Sequence, residues 1–448
     1  MSTAEDTRQD TSIAPVDARR GIETVKDLAD HLHAAAQVEM STIPLYLFSL
    51  YSLKVGGHSQ WSAPRGVLRS LTGIAIEEML HLALVRNLLV AIGAGERITF
   101  YDRKFLPGYP SMMLHRYNDK DREGHEIKLE LKRLSKKHVS TFRRVEMPDD
   151  VDMKAKSFAG HPERPGQYAS LGEFYRAIEL GFVMLDDQIT WDIANVRKQY
   201  SRGFWNEFGH GKPVRVYNLE TALQALELII EQGEGSAENR ERTPTGVGME
   251  DFTHYEKFRR IERGDEGIGA GDGSAKHEIG IDDPAVTWPV VSNPKIAAFT
   301  GNPRVHGLME LFNAAYCYTL CLLDETYKHS TDDLEKKVVY TPPAQHGNEA
   351  GKRTPRTEQF SHRYRLERND IAAMQGILYP IAQCLVSTPI DPGKPDSPHA
   401  APSFEFYDFG GAPKKRQLEQ LCDKAIQHFP SLGGPDGVRR QISLLAEV

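Results

Sequence analysis

Cysteine is scarce, with four residues in a chain of 448, too few for a disulfide framework. Long apolar runs are missing as well. No stretch reaches the roughly 18 residues that a membrane span needs; the longest candidates, 80–92 and 316–323, are interrupted by polar residues or too short. Residues 1–21 are polar, rich in Asp, Thr and Arg, and hold no apolar segment. They read as a disordered tail rather than a signal peptide. Nor is there an excess of positive charge: 55 Lys and Arg stand against 62 Asp and Glu, a formal net charge of −7. That balance argues against a nucleic-acid coat or a basic membrane-surface helix. No repeat of fixed period and no coiled-coil heptad appears. A cytoplasmic globular protein without nucleic-acid or membrane partners is what remains, and 40% apolar residues suffice for one large core or two to three domains.

What is there is mostly helical period. Over 25–53, Val25, Leu28, Leu32, Ala35, Ala36, Ile43, Tyr46, Leu50 and Leu53 share one stripe at 100° per residue. Over 66–92 the stripe returns with Leu71, Ile74, Leu82, Val85, Leu89 and Ile92, stopping at Gly93. Two long amphipathic helices joined by about a dozen residues are the opening half of a bundle. Between 99 and 167 five prolines break the pattern and 126–134 alternates like a strand, so an irregular insertion with little helix is expected. Helical period resumes over 170–200, 218–232 and 251–261, then over 305–329, 370–388 and 415–428. The polar stretch 330–362 reads as a lid or flexible crossover. The fold class is mainly α: a four-helix bundle with an irregular or β insertion and additional C-terminal helices. The expected boundaries are a tail at 1–21, the bundle over 22–262 with its insertion at 99–167, and a helical extension over 263–448 packed on the bundle.

Polar residues inside the apolar stripes carry the chemistry. Glu39 sits in the middle of the first, where an unpaired charge is costly. Glu78 and His81 sit in the second at i, i+3, which aims both at one spot. Glu77 lies further round, at a supporting or surface position. Ligand-type residues buried on adjacent helices want a cation, and a Glu facing a Glu-x-x-His is half of a di-metal carboxylate arrangement. The second half should come from later helices. Over 170–200 the candidates are Glu179 and Asp186; over 218–232 they are Glu227 and Glu231; Asp251 and His254 form an acidic-x-x-His step beyond the break at Gly233. The set chosen is Glu39, Glu78, His81, Glu179, Glu231 and His254, whose four carboxylates match two divalent ions. Pro44, five residues after Glu39, removes a helical hydrogen bond to the Met40 carbonyl. Cys317 and Cys321, at i, i+4, read as buried thiols rather than a redox pair. Tyr46 and Tyr175 read as core aromatics.

The runs Gln37-Val38-Glu39-Met40-Ser41-Thr42-Ile43-Pro44-Leu45-Tyr46 and Glu77-Glu78-Met79-Leu80-His81-Leu82-Ala83-Leu84 resemble the ferritin-like domain of iminophenyl-pyruvate dimer synthases. Gly172-Glu173-Phe174-Tyr175, Glu231-Gln232-Gly233 and His254-Tyr255 continue the likeness. The resemblance implies an oxidative enzyme of secondary metabolism, with Glu39, Glu78 and His81 among the metal ligands. An O2- or peroxide-dependent di-iron oxidoreductase is therefore expected, with two iron ions per chain, or manganese in their place. Its substrate would be a small amino-acid-derived or aromatic molecule, and its reaction could be oxidative imine coupling. The competing expectation is a non-catalytic ferritin-like scaffold or metal-binding partner in a biosynthetic complex. An exposed bundle face would allow a homodimer.

Overall fold

A computed structural model of the chain describes residues 16–54, 63–116, 126–148, 168, 170–201, 211–233, 252–264, 280–331, 334–340 and 355–448. Thr24 opens the first helix, α1 (Val25–Tyr51), through a capping box: its hydroxyl accepts from the Asp27 N–H while the Asp27 carboxylate accepts from the Thr24 N–H. α1 runs through Pro44, and next to the proline the Ser41 and Thr42 hydroxyls donate to the Val38 and Glu39 carbonyls. α2 (Ala63–Ala91) packs along α1 in the most extensive helix contact of the fold. α4 (Leu171–Leu185) and α5 (Leu219–Gly233) complete a ring in which α1 meets α2, α2 meets α5, α5 meets α4 and α4 returns to α1. That ring is a four-helix bundle around an extensive apolar core.

The segment between α2 and α4 is more ordered than its prolines imply. A hairpin of β1 (Ser111–Arg116) and β2 (Glu126–Leu129) holds part of the expected strand. The expectation of little helix fails at α3 (Lys136–Val145), where Ser135 caps the helix and accepts from the His138 N–H. α3 is amphipathic over ten residues, burying Val139, Phe142 and Val145, and is too short to stand out among prolines. It packs on α6 (His254–Arg263), which also touches α2 and α5. The rings of Tyr46, Phe142 and Phe258 lock α1, α3 and α6 together, with centroids 5.0–5.3 Å apart.

Three further expectations change. The helix expected over 170–200 ends at Leu185 and continues as two short 3-10 turns, Asp186–Gln188 and Ile193–Lys198. Asp186 accepts from the Trp191 indole and Asp192 from the Asn195 N–H; such local side-chain bonds compete with the helix, and carboxylates disfavour its C-terminal end. The polar stretch 330–362 holds a regular hairpin, β3 (Leu334–Tyr340) on β4 (Pro355–Ser361), whose tip lies outside the described residues. At the other end, Asp17–Arg20 forms a turn with Ala18 buried, so order begins before residue 22; residues 1–15 lie outside the described residues.

The C-terminal helices are built around α7 (Pro303–Lys328), buried along most of its length. α8 (His362–Ala373) passes through a π-helical turn, Met374–Leu378, into α9 (Tyr379–Val386). Pro380 supplies no N–H to the ladder, and the helix widens in the turn before it. α10 (Lys414–Ile426) packs on α7 and α11 (Val438–Leu444) on α10. These helices join the bundle directly: α9 packs on α1, and Asp324 of α7 accepts the Phe100 and Tyr101 N–H groups at 2.8 and 2.9 Å. Among the described residues, no helix is long and apolar enough to cross a membrane.

Candidate metal centre

α1 contributes Glu39 to the bundle interior, α2 contributes Glu78 and His81, the end of α3 contributes Glu146, and α6 begins with His254. All five are buried, His254 completely. They form two groups whose ligand atoms lie within 4.8 Å of one another: Glu39, Glu78 and His81 in one, Glu78, Glu146 and His254 in the other. Glu78 belongs to both. His81 Nδ1 lies 3.5 Å from Glu39, and its Nε2 is bonded at 3.0 Å to the Gln232 amide oxygen of α5. His254 Nδ1 lies 2.8 Å from Glu78 and 3.8 Å from Glu146. The two imidazoles stack with centroids 5.5 Å apart.

Each carboxylate is held by a hydroxyl. Tyr175 of α4 donates to Glu39, Thr42 to Glu78 and Tyr46 to Glu146. Thus Tyr46 and Tyr175, read from sequence as core aromatics in preference to electron-transfer groups, orient the acids. Beside them is a small cavity of about 20 Å³, walled by Val38, Leu171, Ile229 and Ile230, room for one water-sized ligand.

Burial and the mutual approach of charges shift the protonation of these groups. Burial pushes the Glu39 carboxyl up to about 7, although the bonds from Tyr175 and Glu78 pull it down. Burial and the neighbouring Glu39 charge raise Glu78. Burial alone would lower His254, but Glu146, Glu77 and Glu78 override it and raise it well above the usual imidazole value. Burial lowers His81. Oxygen and imidazole donors without a thiolate suit iron or manganese, and three buried carboxylates sharing one member between two groups fit a pair of divalent ions.

Of the six residues chosen from sequence, the structure brings together Glu39, Glu78, His81 and His254. Glu179 and Glu231 stand outside both groups. α5 faces the bundle with Ala222, Ala225, Leu226, Ile229 and Gln232, so Glu231, one step of 100° away, is exposed. Glu179 is one step from the buried Ile178 and only half-buried; burial raises its carboxyl, with Glu227 of α5 adding to the effect. Tyr175 and Gln232 occupy the inward places on those helices. Asp186 bonds Trp191, Glu227 is exposed, and Asp251 lies outside the described residues. Glu77 is not a surface residue: it is 1% exposed and bonded to His254 and Lys257. Glu146 escaped the sequence reading altogether. Its signal was the Val139, Phe142, Val145 spacing behind a Ser cap, which places the following acid beside a buried face.

Comparison with known proteins defines the class. A family model described as ferritin-like matches residues 32–263, more than half of the chain, and the chain belongs to that family. It is similar to the 2-imino-3-(indol-3-yl)propanoate dimerase of Chromobacterium violaceum, 24% identical over 442 residues that cover 91% of this chain and 38% of that protein. It is also similar to the dichlorochromopyrrolate synthase of Lentzea aerocolonigenes, 25% identical over 482 residues, covering 97% of this chain and 42% of that protein. The chain therefore spans about two fifths of the length of these curated relatives. Among solved structures, a ferritin-like protein from Caulobacter vibrioides shares 21% identity at a TM-score of 0.43, over 68% of this chain and 88% of that one. Di-metal sites of ferritin-like bundles take a Glu from each of two helices and a Glu-x-x-His from each of the other two. This chain keeps one such half, and Glu146 and His254 come from helices α3 and α6 beside the four-helix ring.

Proposed function

We propose that this chain is a two-metal, iron-dependent oxidative enzyme of secondary metabolism, using O2 or peroxide on a small amino-acid-derived or aromatic substrate. The observation that carries the reading is the sharing of Glu78 between two buried three-residue groups, which would let one carboxylate serve two ions. Bound there, two iron ions would supply electron transfer between the organic substrate and the oxidant. The protein's own part follows from its residues. Tyr175, Thr42 and Tyr46 fix the carboxylate rotamers, so little reorganisation is needed when charge changes at the centre. Gln232 and Glu77 take the outward nitrogens of His81 and His254 and leave both Nδ1 atoms facing inward. Val38, Leu171, Ile229 and Ile230 give the small cavity an apolar wall opposite the carboxylates, which strengthens the electrostatic interactions made there.

Three carboxylates leave two divalent ions with one net positive charge, Glu77 being balanced by Lys257. A cationic centre in a low-dielectric site favours an anionic substrate, in keeping with the carboxylates named in the relatives' substrate and product. Oxidative coupling of amino-acid-derived imines is the reaction we propose on that ground.

The test is metal content per chain with an optical spectrum, on wild type and on Glu78→Ala and His81→Ala. Wild type should hold about two irons per chain, as a two-metal site requires, without a haem band. Glu78→Ala should lose both, because both groups share it. Wild-type protein that stays metal-free after anaerobic iron loading overturns the reading.

A further inference from the structure

Lys257 lies on α6, one turn beyond His254, and its ammonium is buried. Its Nζ donates to Glu77 Oε2 at 2.6 Å. The same oxygen accepts from His254 Nε2 at 2.9 Å. The Nδ1 atom of that ring faces Glu78 and Glu146. Three buried polar groups therefore stand in a row, ammonium, carboxylate and imidazole, ending at one of the two ligand groups and not at the other.

Neither charge of the outer pair is tolerable alone in the interior. Glu77 is adjacent to Glu78 on α2, so without a compensating cation it would add a fourth negative charge beside the centre. Lys257 removes that charge locally. It also saturates one side of Oε2, so that the other side is turned to the imidazole N–H. A carboxylate fixed in this way sets the tautomer and orientation of a metal-binding histidine. His81 has a neutral counterpart in Gln232 and needs no such cation.

We infer that Lys257 is a positioning residue for one metal position, acting through Glu77 to hold His254 with Nδ1 directed at the position shared by Glu78 and Glu146. This rests on the reading of the cluster as a metal centre, and its effect is confined to one of the two groups.

The test is a cobalt(II) titration of the full chain, followed by visible absorption and by metal stoichiometry after gel filtration. Wild type should bind two ions. Lys257→Met should weaken one of them by about 10- to 100-fold, the usual effect of removing such a supporting group, and leave the other unchanged. Glu77→Gln should do the same, and Lys257→Met added to Glu77→Gln should cost nothing more, because the lysine acts through that carboxylate. A merely structural role would lower the melting temperature without selecting one ion. If Lys257→Met does not fold, the near-isosteric Glu77→Gln decides. Glu77→Gln or folded Lys257→Met protein that keeps both ions at wild-type affinity overturns the role of Lys257, as does equal loss of both ions. Wild-type protein that binds no cobalt overturns the metal centre itself, and the two failures are thereby distinct.

Discussion

Glu39 must lose a proton before it can hold a cation. Because burial pushes its carboxyl up to about 7, protons compete with metal at and below neutral pH, and the raised Glu78 and His254 act in the same direction. Metal affinity should therefore fall as pH drops from 8 to 6, the slope approaching about tenfold per unit for each competing proton once pH is below that group's titration point. Cobalt titrations across that range check it; a flat profile would contradict the proton-loaded state of the free site. The same residues separate the two positions of the proposed centre. Glu146→Gln should lose the ion shared with His254 and retain the one held by Glu39 and His81, read as metal per chain. Glu231→Ala and Glu179→Ala should leave stoichiometry unchanged, since those side chains sit on the outer or rim faces of α5 and α4. Loss of an ion in either variant would mean that the bundle rearranges on loading.

At the scale of elements, the site depends on α3 and α6 outside the four-helix ring. Phe142 anchors α3 between Tyr46 and Phe258, fully buried. Phe142→Ala should cost about 3–5 kcal/mol, the range for truncating a buried aromatic, measured by denaturant unfolding. It should also weaken the ion held through Glu146, because that residue is the C-cap of the helix being loosened; a stability loss with metal affinity intact would separate the two roles. The elements also show what a sequence reveals. α1 and α2 were legible with ends within a few residues, and so were Glu39, Glu78 and His81, since a polar residue inside a long apolar stripe is conspicuous. α3 was not, because ten residues bury too few side chains to impose a period against five nearby prolines. The helix expected over 170–200 was overextended because Asp186 and Asp192, which end it and cap the next turn, fit a helical wheel as well as any polar residue.

For the whole molecule, the C-terminal helices and the bundle behave as one packed unit. Arg363 of α8 is fully buried, pairs with Glu367 at 2.9 Å, and donates to the carbonyls of Lys198 and His329 at 2.5 and 2.9 Å. It ties α8 to the turn after α4 and to the end of α7. Arg363→Met should destabilise the chain by about 3–5 kcal/mol, because it leaves the Glu367 charge buried without its partner. Adding Glu367→Met should recover part of that loss. Denaturant melts of the single and double variants check both; no recovery would mean that the carbonyl bonds, not the ion pair, hold the junction.

The sequence by itself determined the fold class, the helix pair α1–α2, four of the buried ligand-type residues and the likeness to imine dimer synthases, which the dimerase and synthase relatives bear out. All of these follow from local periodicity and contiguous motifs. Tertiary structure decided the rest. Which acid completes the cluster depends on which helix ends beside it: Glu146, 68 residues from Glu78 along the chain, is brought there by α3 docking on α6. Glu231 is excluded by one helical step. A 100° rotation sends a side chain into the core or into water, and only the packing of α5 against α2 and α4 fixes which way its face is turned.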